Sequence, residues 1–395
     1  MKKSITQLLW INIAIASFAV SASEISDKFS PYDANSNIEI LYDDLDAVLK
    51  SSVLAVGHST RATAKDFKAS IGTRMKVRVN KLTALEGNRF FYEQFQDDDN
   101  QKLLEDIQQS LESVPSEVSL SKLNRDEQLA YWLNLYNLTV LIELIDMYPI
   151  KKIEDEFEDD ETIFSKKILN VEGMSLSLND IENEILFKNY DANPVIIYGM
   201  YQGNVGGPNI RKSAFTSNNV YDNLKSNASD FINSNRGTYS EGKSTFRVSS
   251  LYERKEMYFP EFQSDLTAHL SKYIHGTMSN YLKAGPTLKP NINDWKITDL
   301  YKSQKSRGMS TAANSAALMD SIGRTSGGAG MPGTGSPNLG LAAEVFADRG
   351  VTYGRFSPEQ IEILQKVDQL RLENAGEVTI TDIKSEDTET QTEEN

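Results

Sequence analysis

Apolar residues recur at helical spacing in several segments of the chain, and in one of them they cover the helix almost all the way round. From Asn124 to Tyr148, the residues Leu129, Trp132, Leu133, Leu135, Leu138, Val140, Leu141, Ile142, Leu144 and Ile145 surround nearly the whole circumference. Such a helix belongs in the middle of a core, and Pro149 ends it. Upstream, Ile38, Leu41, Leu45, Val48 and Leu49 share one face of a helix predicted over 38–53, and a second amphipathic helix is predicted over about 100–112. Met75, Val77 and Val79 alternate with basic residues, as a half-exposed strand would. Beyond the central helix, the flanks of Glu172-Gly173 predict a short hairpin, and Ser177 with Asp180 gives capping-box spacing to a helix over 178–187. Pro194 to Tyr201 is apolar and β-branched, and predicts a buried strand. Further helices are predicted over about 219–232 and 260–282.

The pattern then changes. Gly323 to Gly340 is rich in glycine, serine and proline without apolar periodicity, and reads as a linker. Ser357-Pro358-Glu359 supplies an N-cap, a first-turn proline and a first-turn acid for a helix to about Leu372, and Ile383 to Asn395 reads as a disordered acidic tail. The fold class these elements predict is α+β: a helix-rich single core domain with a buried central helix and a small β-sheet, followed by a flexible C-terminal extension. The predicted boundaries are 1–22 for a signal peptide, 23–122 for a helical and extended part packing on the core, and 123–300 for the core domain. They continue with 301–356 for the Gly/Ser-rich linker region, 357–375 for the C-terminal helix and 376–395 for the tail.

The first segment carries Lys2 and Lys3, an apolar run from Ile5 to Val20 interrupted by Asn12, and the small residues Val20-Ser21-Ala22. That three-part pattern predicts export to the periplasm or beyond, with cleavage and no membrane span afterwards. Removal of residues 1–22 takes the net charge from −15 to −17, which argues against a nucleic-acid partner. The chain has no cysteine, so disulfides, thiolate catalysis and thiolate metal sites are excluded together.

The sequence has no nucleophile elbow, no phosphate loop, no dinucleotide fingerprint and no H-E-x-x-H, and His58, His269 and His275 lack helical ligand spacing. No cofactor or metal site is expected. Asp33, Asn35 and Asn37 alternate like the start of a calcium loop, but Ile38 stands where its turn glycine belongs and Asp44 where a glutamate is usual, so the segment reads as a polar loop. The basic run from Arg61 to Arg89 reads as a solvated face, with a groove for an anion as the functional alternative.

The central helix carries polar residues where burial is costly. Glu127, Asn134 and Asn137 lie near one side of it, and burying an amide without partners costs about 1–3 kcal/mol. Two readings follow. The asparagines bond to the backbone of adjacent loops and fix the core, or Glu127, Asn134, Tyr136 and Asn137 line a pocket walled by the glycine-bearing loop Gln202 to Pro208, with Gln202 and Asn204 facing in.

Asp126-Glu127-Gln128-Leu129-Ala130-Tyr131-Trp132-Leu133-Asn134-Leu135-Tyr136-Asn137-Leu138 resembles the L-A-F-W-I-N-x-Y-N signature of the domain of unknown function 547 family. Met174 to Glu182 is similar to that family's L-S-L-x-D-I-E segment, and Asp294 to Asp299 to its closing D-W-x-L-N, so the likeness runs over about 123–299. The resemblance implies a domain and no reaction. Where typical members carry H-F-x-L-x-C-x-x-x-x-C-P, this chain has Ile197, Gln202 and Gly207 in the histidine and cysteine positions, and only Pro208 persists. Any thiol chemistry of relatives is therefore absent. The expected function is an exported, noncatalytic or altered-site protein that binds a small molecule, peptide or glycan. The alternatives are a hydrolase with His58 or Glu127 as general base, and an envelope scaffold that holds a protein partner through the C-terminal extension.

Overall fold

The computed structural model describes residues 22–64, 80, 82–150, 152–159, 161–241, 245–300 and 354–374. The leader up to residue 21, the Met75 to Val79 strand, the Gly323 to Gly340 linker and the acidic tail lie outside the described residues. The chain divides into two compact units, Met1–Arg355 and Phe356–Asn395. The class is α+β and helix-rich, with small sheets.

The first unit begins with α1 (Ala22–Lys28) and α2 (Asp43–Ser52), followed by α3 (Asp98–Glu117) and α4 (Arg125–Asp146). Helix α4 is the predicted central helix. Asn124 caps it by accepting from the Glu127 N–H at 2.9 Å, and Asp126 and Glu127 favour its positive N-terminal end. Every residue from Glu127 to Ile142 is buried. Each large apolar side chain in that stretch contributes about 1.5–3 kcal/mol of burial, so α4 anchors the core. Helix α3 packs along it through Leu104, Ile107, Leu111 and Val114, with the Tyr131 hydroxyl donating to the Leu111 carbonyl at 3.1 Å.

The strands β1 (Val53–Leu54) and β2 (Arg89–Phe90) form one antiparallel pair, and β3 (Leu169–Val171) and β4 (Met174–Leu176) form the predicted hairpin. Glu172 and Gly173 both take positive φ in its turn. Ser177 and Asp180 complete a capping box on α5 (Leu178–Asp180), which widens into a π-helical stretch over Ile181–Phe187. Next come α6 (Val220–Ile232), β5 (Thr238–Glu241), β6 (Thr245–Ser249), α7 (Leu251–Arg254), α8 (Phe262–Tyr273), α9 (Gly276–Lys283) and β7 (Thr287–Ile292). Strand β6 pairs antiparallel with β5 and parallel with β7. Its Phe246 and Val248 are buried.

Four expectations need correction. The first helix begins at Asp43 rather than at Ile38, because the preceding segment extends to donate the Ile40 N–H to Glu127. The expected buried strand at 194–201 is a 3₁₀ helix over Pro194–Gly199. Pro194 occupies its first turn and Asn193 caps it, and a short apolar run buried on all sides has no period to distinguish strand from helix. The helix expected over 260–282 is two, broken where Gly276 takes a φ of 64°. The three-stranded sheet β5-β6-β7 carried no strand prediction. Residues 354–355 also belong to the first unit rather than to a linker: Arg355 is buried, donates to Asp44 Oδ1 at 2.8 Å and to the Leu41 carbonyl at 2.9 Å, and accepts from the Leu41 N–H.

In the second unit, α10 (Pro358–Asn374) begins with the expected serine cap, Ser357 Oγ accepting from the Gln360 N–H.

Candidate functional site

Three polar side chains of α4 are held indoors by loop backbone. Asn134 donates to the Phe215 carbonyl at 2.8 Å and accepts from the Phe215 N–H at 2.9 Å. Asn137 donates to the Gly199 carbonyl and accepts from the Tyr201 N–H, both at 2.8 Å. A carboxamide presents a donor and an acceptor side by side, as a peptide group does, and each asparagine therefore clamps one neighbouring segment. The Glu127 carboxylate accepts from the Ile40 and Ser217 N–H groups at 3.1 and 3.2 Å. Burial raises its pKa, and those two N–H bonds oppose the rise. Of the two readings of the asparagines, the backbone clamp is the one the geometry displays.

The clamp at Tyr201 sets the position of the glycine-bearing loop that follows. Its other side is held by 294–298: Val205 N–H donates to the Lys296 carbonyl, Gly206 N–H to Asp294, and Thr298 N–H to Gly203. The loop fits closely enough that a Cβ on Gly206 would come within 2.7 Å of the Asp294 backbone nitrogen, so glycine is required by close approach. The segment similar to the family's closing motif is thus the strap on this loop.

The six residues singled out from the sequence do not share one cavity. Asn134 and Asn137 border a space of about 10 Å³, room for a single water at most. Glu127 is spent on backbone. Asn204 donates to the Asp294 carbonyl at 3.2 Å, and its Oδ1 is buried without a hydrogen-bond partner among the described residues. Tyr136 and Gln202 do meet. They line a cleft of about 330 Å³ together with Glu156, Asp159, Glu182, Arg254 and Lys255.

Its charged side chains come from different elements. Arg254 ends α7, where the buried Leu251 and Tyr252 fix the short helix. Its guanidinium lies against the packed pair of Phe157 and Trp295, 5.0 and 4.8 Å from their ring centroids, which are themselves 5.1 Å apart, a cation–π setting made by two rings. It donates to Gln202 Oε1 and Ser250 Oγ, both at 3.0 Å, while Nε is buried without a partner among the described residues. Burial lowers its pKa to about 10, against the pull of Glu182 and Glu253. Lys255 pairs with the buried Glu182, which reaches the cleft from the π-helical stretch. Burial raises the Tyr136 phenol pKa, with Glu182 and Tyr258 adding to the rise, and its hydroxyl has no hydrogen-bond partner among the described residues. Arg254 and Lys255 escaped the sequence reading because Glu253-Arg254-Lys255-Glu256 looks like a solvated charge run. The one available signal was the aromatic flank of Tyr252, Tyr258 and Phe259.

The candidate general bases lie elsewhere. His58 Nδ1 is 2.6 Å from Asp230 Oδ1 on an exposed side chain, beside a space of about 20 Å³, and neither it nor Glu127 lines the cleft. At the start of the supposed calcium loop, Asp33 accepts from the Asn35 N–H in a local turn, and Asp44 is paired with Arg355.

Residues 120–232 match the model of a family described as a protein of unknown function, DUF547. The matched segment is similar to proteins of that family. It spans α4, the β3–β4 hairpin, the glycine-bearing loop and α6, and the match stops short of the strap at 294–298. No curated protein and no solved structure matches the chain. The matched segment holds both positions where the family pattern places cysteine, and they are neighbours: a Cβ on Gly207 would lie 3.2 Å from that of Gln202 and 2.6 Å from Asn204 Oδ1. With cysteines, that spacing approaches the Cβ separation of a disulfide, about 3.5–4.5 Å. Here Gln202 uses the place to hold Arg254.

Proposed function

We propose that this is an exported, noncatalytic binding protein whose cleft between α4 and the Gln202 loop takes a small polar molecule. The observation that carries the proposal is the convergence of Tyr136 and Gln202, with Arg254 and Lys255, on a cleft of about 330 Å³, a size that suits a small ligand. Amide, phenol and charged groups there serve hydrogen-bonded recognition, and neither candidate general base is within the lining. Export is supported by the basic, apolar and small-residue order of the first 22 residues. Cleavage after Ala22 leaves the buried Ile25 and Phe29 with the core, where Phe29 packs edge-on against Trp132.

Two measurements test this. N-terminal sequencing of the protein recovered from the envelope or medium should begin at Ser23, and recovery of the uncut chain from the cytoplasm refutes export. A thermal-shift screen of small polar compounds should yield a ligand that stabilises the protein by about 2.7 kcal/mol at a hundredfold excess over its Kd. Asn179→Trp, which crowds the mouth from an exposed position of the lining, should abolish that gain without lowering stability in the absence of ligand. A screen without a hit, or a hit indifferent to Asn179→Trp, refutes binding in the cleft.

A further inference from the structure

The cleft holds charges of both signs, and their pairing shows which remain for a ligand. Lys255 and Glu182 neutralise one another. Arg254 spends two of its five N–H groups on the neutral partners Gln202 and Ser250, which leave its charge uncompensated at contact distance. In the same lining, Glu156 gives one oxygen to the Ile163 N–H at 2.8 Å and keeps the second. The Asp159 carboxylate has no hydrogen-bond or ion-pair partner among the described residues. One cation and two carboxylates therefore line the same space, Arg254 from α7 and the acids from the segment after α4.

Building on the proposed binding role of this cleft, we infer that its ligand is a small zwitterion, a free amino acid or a short peptide, with its carboxylate at Arg254 and its ammonium at Asp159 and Glu156. A simple anion would gain Arg254 but be brought against two unneutralised carboxylates. A simple cation would gain the acids and meet the guanidinium. A neutral molecule such as an uncharged glycan would strip water from all three without replacing it by countercharge, and an ion removed from water must be paired to be tolerated. A zwitterion pairs each charge with its opposite. The ring faces that a sugar would stack on are also committed, since Phe157 packs on Phe164, Trp295 and Arg254.

Isothermal titration of the full mature chain tests this with four probes: L-alanyl-L-alanine, its N-acetyl form, its C-terminal amide and neutral diacetylchitobiose. The free dipeptide should bind, each cap should weaken binding at least tenfold, and the chitobiose should give no heat. Asp159→Asn, a change at an exposed side chain, should weaken the free dipeptide at least fivefold and leave the residual affinity of the N-acetyl form unchanged. Arg254→Gln should do the converse with the amide. If Arg254→Gln fails to fold, the Asp159→Asn comparison alone decides. Capped and free dipeptides binding equally, or chitobiose alone binding, overturns the zwitterion while the cleft stands as a binding site. Silence from all four probes overturns the zwitterion, and only the wider compound screen then bears on the cleft.

Discussion

Replacing Asn137 by leucine isolates what a buried carboxamide contributes to this fold. The two side chains share the same branched four-heavy-atom skeleton, so the change deletes hydrogen bonds and opens no space. It removes two contacts of 2.8 Å and leaves the Gly199 carbonyl and the Tyr201 N–H inside the protein with no other partner among the described residues. Each stranded backbone group costs about 1–3 kcal/mol. The leucine returns part of that through apolar burial, so a net loss of about 2–4 kcal/mol is expected, a large share of the 5–15 kcal/mol that holds a typical domain. Urea unfolding should show a lower midpoint with an unchanged slope, and hydrogen exchange at Tyr201 should accelerate. Asn170→Leu, at an exposed hairpin position, should stay within about 0.5 kcal/mol of the parent. If Asn137→Leu also stays within that range, the asparagine is not clamping the loop, and the account of how α4 positions Gln202 fails with it.

The remaining predictions concern other buried polar groups. His269 is held neutral in an aromatic setting beside Tyr198, where burial, aided by Lys272, lowers its pKa to about 4. The unfolded chain binds the proton near pH 6.5, so the stability contributed is complete above that value and is lost as pH falls toward 4, by about 3 kcal/mol in all. Chemical denaturation of His269→Gln should lack that part of the acid slope, and a slope equal to the parent's refutes it. Arg355→Met strands Asp44 in the core and should cost about 3–5 kcal/mol, with more than half recovered in the Asp44→Asn double variant; an equal loss in both refutes the ion-pair account. The Gln202→Cys, Gly207→Cys double variant should oxidise to an intramolecular bridge, read as the loss of both free thiols without dimer formation. Two persistent thiols under an oxidant would show that Asn204 does not yield the space.

The sequence made the core legible because the periodicity of α4 is strong enough to survive without context: a helix apolar on every face has only one place to go. The capping box at Ser177 and the hairpin at Glu172-Gly173 were legible for the same reason, each being written in adjacent residues. The sheet β5-β6-β7 was not, since its parallel partner β7 lies nearly forty residues from β6 and its alternation is diluted by charge at Arg247 and Lys289. The candidate site divides along the same line. Tyr136 and Gln202 could be reached by reasoning from the central helix and the loop, but the groups that give their meeting place its charge could not. Arg254 resembles a surface arginine until Phe157 and Trp295, ninety-seven residues behind it and forty-one ahead, pack together against it. A lone charge with aromatic neighbours close in sequence is weak evidence of burial. A functional charge supplied by one segment and desolvated by two others leaves no local pattern, because the property that matters, the loss of water around it, belongs to the packing and not to any stretch of chain.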